Sequence, residues 1–145
     1  MQIAMIGLGR MGANMARRLL GDGHACVVHD VDAQARRALE SEGATGAATL
    51  EELVSLLARP RVVWLMLPAA AVDQALASLA VLLGPGDAIV DGGNTHYRDD
   101  IRRAAALAVR GIHLVDVGTS GGIWGLGHGY CLMVGGEASV VRRLE

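Results

Sequence analysis

The residues Gly7-Leu8-Gly9-Arg10-Met11-Gly12 hold three glycines in the pattern G-x-G-x-x-G, and what such a segment can do is bind an anion. Glycines there permit a tight turn, close approach of the backbone to a pyrophosphate, and close contact between helix and strand. The free N–H groups and the positive dipole end of a helix that starts at this point favour the negative charge. Alone the pattern is weakly specific, and its context sharpens it. A short apolar run, Ile3-Ala4-Met5-Ile6, precedes it, and Met11, Met15 and Leu19 follow at helical spacing with Arg17 and Arg18 directed elsewhere. Asp30 stands 23 residues after Gly7, at the end of the next apolar run. A carboxylate there can accept hydrogen bonds from ribose hydroxyls, each charged bond worth about 1.5–3 kcal/mol. The same charge repels the 2′-phosphate of NADP, and no arginine immediately follows Asp30, so the expected cofactor is NAD. Read otherwise, Asp30 is a loop residue or helix cap, with Asp32 a second cap candidate.

Three further loops are expected to leave strands on the same side, where ligands collect in an open α/β sheet. Leu67-Pro68-Ala69, with Val72 just inside the next helix, is apolar and suits the organic part of a cofactor. Asp91-Gly92-Gly93-Asn94 sets an amide side chain beside two glycines. Gly118-Thr119-Ser120-Gly121-Gly122 offers two hydroxyls and several N–H groups, a cradle for a carboxylate or a hydroxyl-rich substrate. Gly, Asn and Ser also form ordinary turns; the functional reading gains from the loops sharing one rim. Asp91 and Asp116 end strands in this reading, where they cap or orient loops. His24, His29, His96, His113 and His128 share no motif spacing, and His96, close after Asn94, has no catalytic assignment. No metal site is expected: Cys26 and Cys131 match no ligand or redox spacing and read as buried free thiols.

Short apolar runs alternate with longer segments of helical period, the signature of a parallel α/β sheet. Strands are expected at Ile3–Ile6, Ala25–His29, Val62–Leu67, Ala88–Val90, Ile112–Val117 and Tyr130–Val134. Helices are expected from Arg10, over Asp32–Glu42, from Thr49, over Ala71–Leu83, over Tyr97–Val109, and from Ala138. Thr49-Leu50-Glu51-Glu52 has capping-box spacing, with the stripe Leu50, Leu53, Val54 and Leu57 behind it. These elements predict a Rossmann-type, doubly wound, mainly parallel sheet with helices on both faces. Residues 1–145 form one domain without repeat or linker. The chain stops at Glu145 inside a helical pattern, which is expected of a piece of a longer protein.

With 52% hydrophobic residues and a net charge of -2, the chain suits neither a disordered tail nor a nucleic-acid binder. The longest apolar run, Val62 to Val72, is too short for a bilayer and contains Pro68. No signal segment is apparent, and a soluble, cytoplasmic protein is expected. All 13 basic residues are arginine, and phenylalanine is absent, so the core is built from aliphatic residues and methionine.

The stretch Gly7 to Ala16 resembles the opening of the 6-phosphogluconate and 3-hydroxyacid dehydrogenase superfamily. Asp91-Gly92-Gly93-Asn94 is similar to the 6-phosphogluconate branch, whereas the 3-hydroxyisobutyrate branch carries an Asp-x-Ser-Thr version; Ser120-Gly121-Gly122 is shared by both. The resemblance covers essentially the whole chain and is closest to the short, NAD-linked bacterial form. It implies that Asn94, Ser120, Gly121 and Gly122 contact a sugar-acid phosphate, with Asn94 also near the nicotinamide. NADP-dependent members carry Asn-Arg-Thr-like residues near the end of the second strand, from which Asp30 departs. Ile123-Trp124-Gly125 departs from the acidic residues that follow in long-chain members, which puts the substrate contacts of that stretch in question. The implied reaction takes hydride from C3 of 6-phosphogluconate and releases carbon dioxide to give ribulose 5-phosphate. Family members use a lysine and a glutamate downstream of this segment, and the chain has no lysine. It is therefore expected to bind NAD with no catalytic residue of its own and no turnover, while the full-length protein is a homodimer or larger. The competing readings are a 3-hydroxyisobutyrate or tartronate semialdehyde dehydrogenase domain and a stand-alone NAD-binding sensing module.

Overall fold

The computed structural model describes residues 1–144, Ile123 by its backbone alone. Seven strands form one sheet: β1 Gln2–Ile6, β2 Ala25–His29, β3 Thr45–Gly46, β4 Val62–Leu65, β5 Ala88–Asp91, β6 His113–Ser120 and β7 Cys131–Gly135. Their order is β3-β2-β1-β4-β5-β6-β7, parallel throughout except for the antiparallel β6–β7 pair. The chain crosses from β1 to β2 on one side and returns to β4 on the other, so the order reverses at β1. A crevice opens at that switch point, beyond the carboxyl ends of the strands.

Among the described residues seven α-helices cover the two faces: α1 Arg10–Gly21, α2 Ala33–Ser41, α3 Leu50–Ser55, α4 Ala69–Leu82, α5 Tyr97–Ala108, α6 Gly125–His128 and α7 Ala138–Leu144. The alternation of β1 explains why it reads as apolar throughout. Ala4 and Ile6 pack with Leu53, Val72 and Leu79 on the α3–α4–α5 face. Ile3 and Met5 pack with Met15, Leu39 and Val140 on the α1–α2–α7 face. Fully burying one such Leu, Ile or Met side chain contributes about 1.5–3 kcal/mol before conformational entropy is counted. Along α4, Val72, Leu76 and Leu79 are buried and Leu83 follows just past its end, as the helical period predicts.

Several boundaries differ from the sequence reading. Asp32 is the cap, as the sequence also allows, accepting from Gln34 N, so α2 proper begins one residue later, at Ala33. Thr49 Oγ1 accepts from Glu52 N, but the Glu52 carboxylate accepts from Ala48 N, one residue before the position that closes a reciprocal box. Strand β4 ends at Leu65, and α4 begins at Ala69, immediately after Pro68. Gly118, Thr119 and Ser120, expected in a loop, belong to β6 because each pairs with a residue of β7. Asp116 consequently sits inside β6 rather than at its end. Both cysteines are free, Cys26 buried as expected and Cys131 exposed on the edge strand, against expectation. No helix among the described residues is long and apolar enough to cross a membrane, and no group of three or more metal-ligating side chains occurs among them. Glu145 lies outside the described residues.

Candidate functional site

The glycines of the first loop set its shape. Gly7 has φ +90°, and a Cβ on it would stand 2.4 Å from the Met66 carbonyl oxygen. Its N–H donates to the His29 carbonyl, joining the ends of β1 and β2. A Cβ on Gly12 would stand 2.0 Å from the Gly7 carbonyl oxygen, so α1 leaves the sheet at a distance that only glycine allows. The start of α1 has no side-chain cap and no acidic residue in its first turn. Its first N–H groups are thus unclaimed by side chains and available to an anion.

Asp30 spans the gap between this loop and the start of α2. One carboxylate oxygen accepts from Leu8 N at 2.6 Å and the other from Asp32 N at 2.8 Å. Each oxygen retains a lone pair, so two vicinal hydroxyls remain within its accepting capacity. Arg36, six residues further on, donates to the Asp30 backbone carbonyl at 2.7 Å and so anchors the main chain beneath the carboxylate. A cation therefore stands closer to Asp30 than the sequence alone indicates, though it is engaged with the carbonyl.

Loop and carboxylate border a cavity of about 1130 Å³ at the switch point. Of the residues expected at the cofactor, Gly7, Gly9, Arg10, Met11, Gly12, Asp30, Leu67, Pro68 and Asn94 line it. Three others do not. Val72 is fully buried in the α3–α4–α5 core, because it occupies the inward face of α4. Leu8 buries its side chain in the opposite core, leaving only its backbone toward Asp30. Ala69 is exposed outside the lining. Ser120, Gly121 and Gly122 also lie outside it, since β6 continues past the cavity and places Gly118 and Thr119 at its wall instead.

Some wall residues went unassigned in the sequence. Gln74, Ala75 and Ser78 present the outer face of α4, and the period that places Val72, Leu76 and Leu79 inward also places these outward. His29, Val31 and Leu50 complete the wall beside Asp30, and Met133 reaches it from β7. The Thr119 hydroxyl is buried without a hydrogen-bond partner among the described residues. His96 caps α5 by accepting from Arg98 N, outside the cavity.

The Asn94 loop rests on a buried polar network. Asp91, fully buried, accepts from Gly93 N at 3.0 Å. Thr95 Oγ1 lies 3.1 Å from Asp91 Oδ2 and 2.8 Å from Asp100 Oδ2. A hydroxyl has one proton to donate, so the second contact needs a proton held on a carboxyl. Burial pushes the Asp91 carboxyl above its usual range, against the Gly93 and Thr95 hydrogen bonds and with added repulsion from Asp100. Arg103 closes the network. Its Nη1 donates to Asp100 at 2.8 Å and stands 3.8 Å from Asp91, and its Nε donates to Asp73 at 2.8 Å. Burial, with the charge of Asp100, also raises the Asp116 carboxyl.

Residues 2–145 match the family model described as the NAD binding domain of 6-phosphogluconate dehydrogenase. The chain is 43% identical over 137 residues to an NAD(+)-dependent, decarboxylating 6-phosphogluconate dehydrogenase of Haloferax volcanii, covering 94% of this chain and 45% of that protein. A Plasmodium falciparum 6-phosphogluconate dehydrogenase, solved with NADP+ and with its substrate, superposes with a TM-score of 0.90 at 28% identity, over 99% of this chain and 33% of that one. A Mycobacterium tuberculosis 3-hydroxyisobutyrate dehydrogenase gives the same TM-score and identity over 99% of this chain and 49% of that one. The chain spans less than half the length of the curated relatives it matches.

Proposed function

Because the chain belongs to the family of NAD-binding domains of 6-phosphogluconate dehydrogenase, we propose that it is the cofactor-binding unit, residues 1–145, of an NAD-dependent enzyme that oxidises and decarboxylates 6-phosphogluconate to ribulose 5-phosphate. The observation that carries the choice of NAD over NADP is Asp30, whose carboxylate is fixed by Leu8 N and Asp32 N at the cavity edge. NAD, when bound, supplies the acceptor for the hydride from C3 of the substrate. The chain's own residues bind and orient. The backbone of Gly7–Gly12 would hold the pyrophosphate, and Asp30 would accept from the ribose hydroxyls and disfavour a 2′-phosphate. Asn94, at the cavity wall, would lie near the nicotinamide and contact the sugar acid, with Ser120, Gly121 and Gly122 contacting the sugar acid as well.

The fit to a dinucleotide rests on the cradle itself: a turn closed by Gly7 and Gly12, uncapped N–H groups, and an open cavity beside them. Oxidation also requires a base for the C3 hydroxyl proton. No lysine is present to take that role, and the chain by itself binds cofactor without turnover. The whole protein is a soluble homodimer or larger assembly. A 3-hydroxyacid dehydrogenase is the second reading, favoured by the equal superposition on the Mycobacterium tuberculosis enzyme. Asp91-Gly92-Gly93-Asn94 and the names of the closer sequence relatives weigh for the first.

Calorimetric titration of this chain with NAD and with NADP tests the reading, together with an assay of NADH production from 6-phosphogluconate. Binding of NAD with NADP clearly weaker, and no NADH, is expected. Tighter binding of NADP would overturn the cofactor assignment, and measurable NADH would overturn the assignment of chemistry to residues outside the chain.

A further inference from the structure

If NAD binds as proposed, and the inference rests on that reading, the phosphate loop and Asp30 dictate where the rest of the nucleotide falls. With pyrophosphate on Gly7–Gly12 and a ribose on Asp30, the base on that ribose meets the cavity wall adjoining Asp30. That wall is made by His29, Val31 and Leu50, facing Gln74 and Ser78 of α4. Val31 is 96% exposed, an apolar side chain at the cavity edge that a planar base would cover.

His29 is the last residue of β2 and follows the alternation that turns Val27 toward the α3–α4–α5 face. Its Nδ1 lies 2.9 Å from the Ala47 carbonyl oxygen. A carbonyl only accepts, so Nδ1 carries the proton, and the neutral ring is left with an unprotonated Nε2. Nε2 has no hydrogen-bond partner among the described residues. The anchor at Ala47 fixes both tautomer and ring orientation, leaving one acceptor for a ligand at the cavity wall. Adenine carries a donor amine at its 6 position, whereas hypoxanthine carries a carbonyl there.

We infer that His29 is a specificity-determining residue, whose Nε2 accepts a hydrogen bond from the 6-amino group of the adenine while Val31 and Leu50 pack against the ring. No contact made by Asp30 or the phosphate loop distinguishes one purine from another, and His29 is the side chain beside Asp30 whose ring is held by a backbone carbonyl with one acceptor left over.

The test compares binding of NAD with that of nicotinamide hypoxanthine dinucleotide, measured by calorimetry on the wild-type chain and on His29→Phe and His29→Leu. Thermal melts identify which variants are folded, and either one suffices. The wild type is expected to prefer NAD by about tenfold, the value of one well-made hydrogen bond whose replacement leaves two acceptors facing each other. In a folded variant the ratio of the two dissociation constants falls to near one. A merely structural role for His29 would weaken both ligands alike and leave the ratio unchanged; that result, or a wild-type ratio near one, overturns the inference. Failure of the wild type to bind either dinucleotide overturns the NAD reading itself, and this inference with it.

Discussion

Replacing Arg103 with methionine keeps most of the apolar stem and removes the guanidinium from a site where little else can compensate. The head group is 6% exposed and donates to Asp100, itself 4% exposed, with fully buried Asp91 at 3.8 Å. Its contact with Asp73 adds at most about 1 kcal/mol, because Asp73 is 61% exposed and well solvated. The cost comes from the buried side: stranding a carboxylate that had a buried partner costs about 3–5 kcal/mol. The Asp91 carboxyl can escape part of it by taking up a proton. Thr95 can hydrogen-bond to a protonated carboxyl as readily as to an ionised one, and Asp91 is already pushed upward by burial. The sign follows from linkage. An aspartate whose folded pKa is raised above the usual 3.8 binds more protons folded than unfolded, so its stability is full below that value and is lost as pH rises through the folded pKa. Arg103→Met is therefore expected to be most nearly normal in mild acid and to lose about 3–5 kcal/mol near neutrality. Urea unfolding of both chains at several pH values reads this directly. A loss under about 1 kcal/mol at neutral pH, or a loss that does not grow with pH, would refute the account of Arg103 as the counter-charge of two buried acids.

Asp30→Asn removes the charge and faces an amide NH₂ toward a backbone N–H; NAD affinity should fall by about 1.5–3 kcal/mol while NADP falls less or improves. Dissociation constants for both decide it, and an unchanged ratio would sink the role given to Asp30. Gly12→Ala drives a methyl group to 2.0 Å from the Gly7 carbonyl oxygen, so the phosphate loop must shift, at about 1–3 kcal/mol of stability and at least about tenfold in NAD binding. Wild-type melting and wild-type affinity together would show that the close approach is unimportant. Thr119→Val replaces a buried, unpartnered hydroxyl by a methyl group and should raise the Tm of the ligand-free chain by the equivalent of about 1 kcal/mol. A lowered Tm would mean that the hydroxyl is satisfied after all.

What the sequence disclosed follows from the range of the interactions involved. The strand–glycine–helix opening and Asp30 are local patterns, and they stand together at one cavity as their spacing suggests. The α4 stripe was legible because a long helix repeats its period several times. Strand β3 was not, since Thr45–Gly46 is too short to show any period. The strand character of Gly118–Ser120 arises from pairing with Cys131–Met133, and no local signal tells a glycine in an antiparallel ladder from one in a turn. For the same reason no local signal brings Met133 to the cavity wall or carries Ser120, Gly121 and Gly122 beyond it. The place of Val72 on the inward stripe of α4 is readable from the helical period, although Pro68 is close to it in sequence.

Strand β5 is bounded by aspartates whose carboxyls are shifted in opposite directions. At its start, burial pushes the fully buried Asp87 upward. Hydrogen bonds from Arg61 N, Gly84 N and the Arg61 guanidinium outweigh that and hold it below the usual range as a settled anion. At its end, burial and the neighbouring Asp100 push the Asp91 carboxyl above the usual range, and the two acids share the Thr95 hydroxyl. The strand is thus tied at both ends, by an anion held by Arg61 at its root and by an acid pair facing Arg103 at its tip. Because the root carboxyl is shifted down and the tip carboxyl up, a change of pH acts on the two ends in opposite senses. Protonation in acid costs the root its ion pair, while ionisation at higher pH strains the tip that carries Gly92, Gly93 and Asn94.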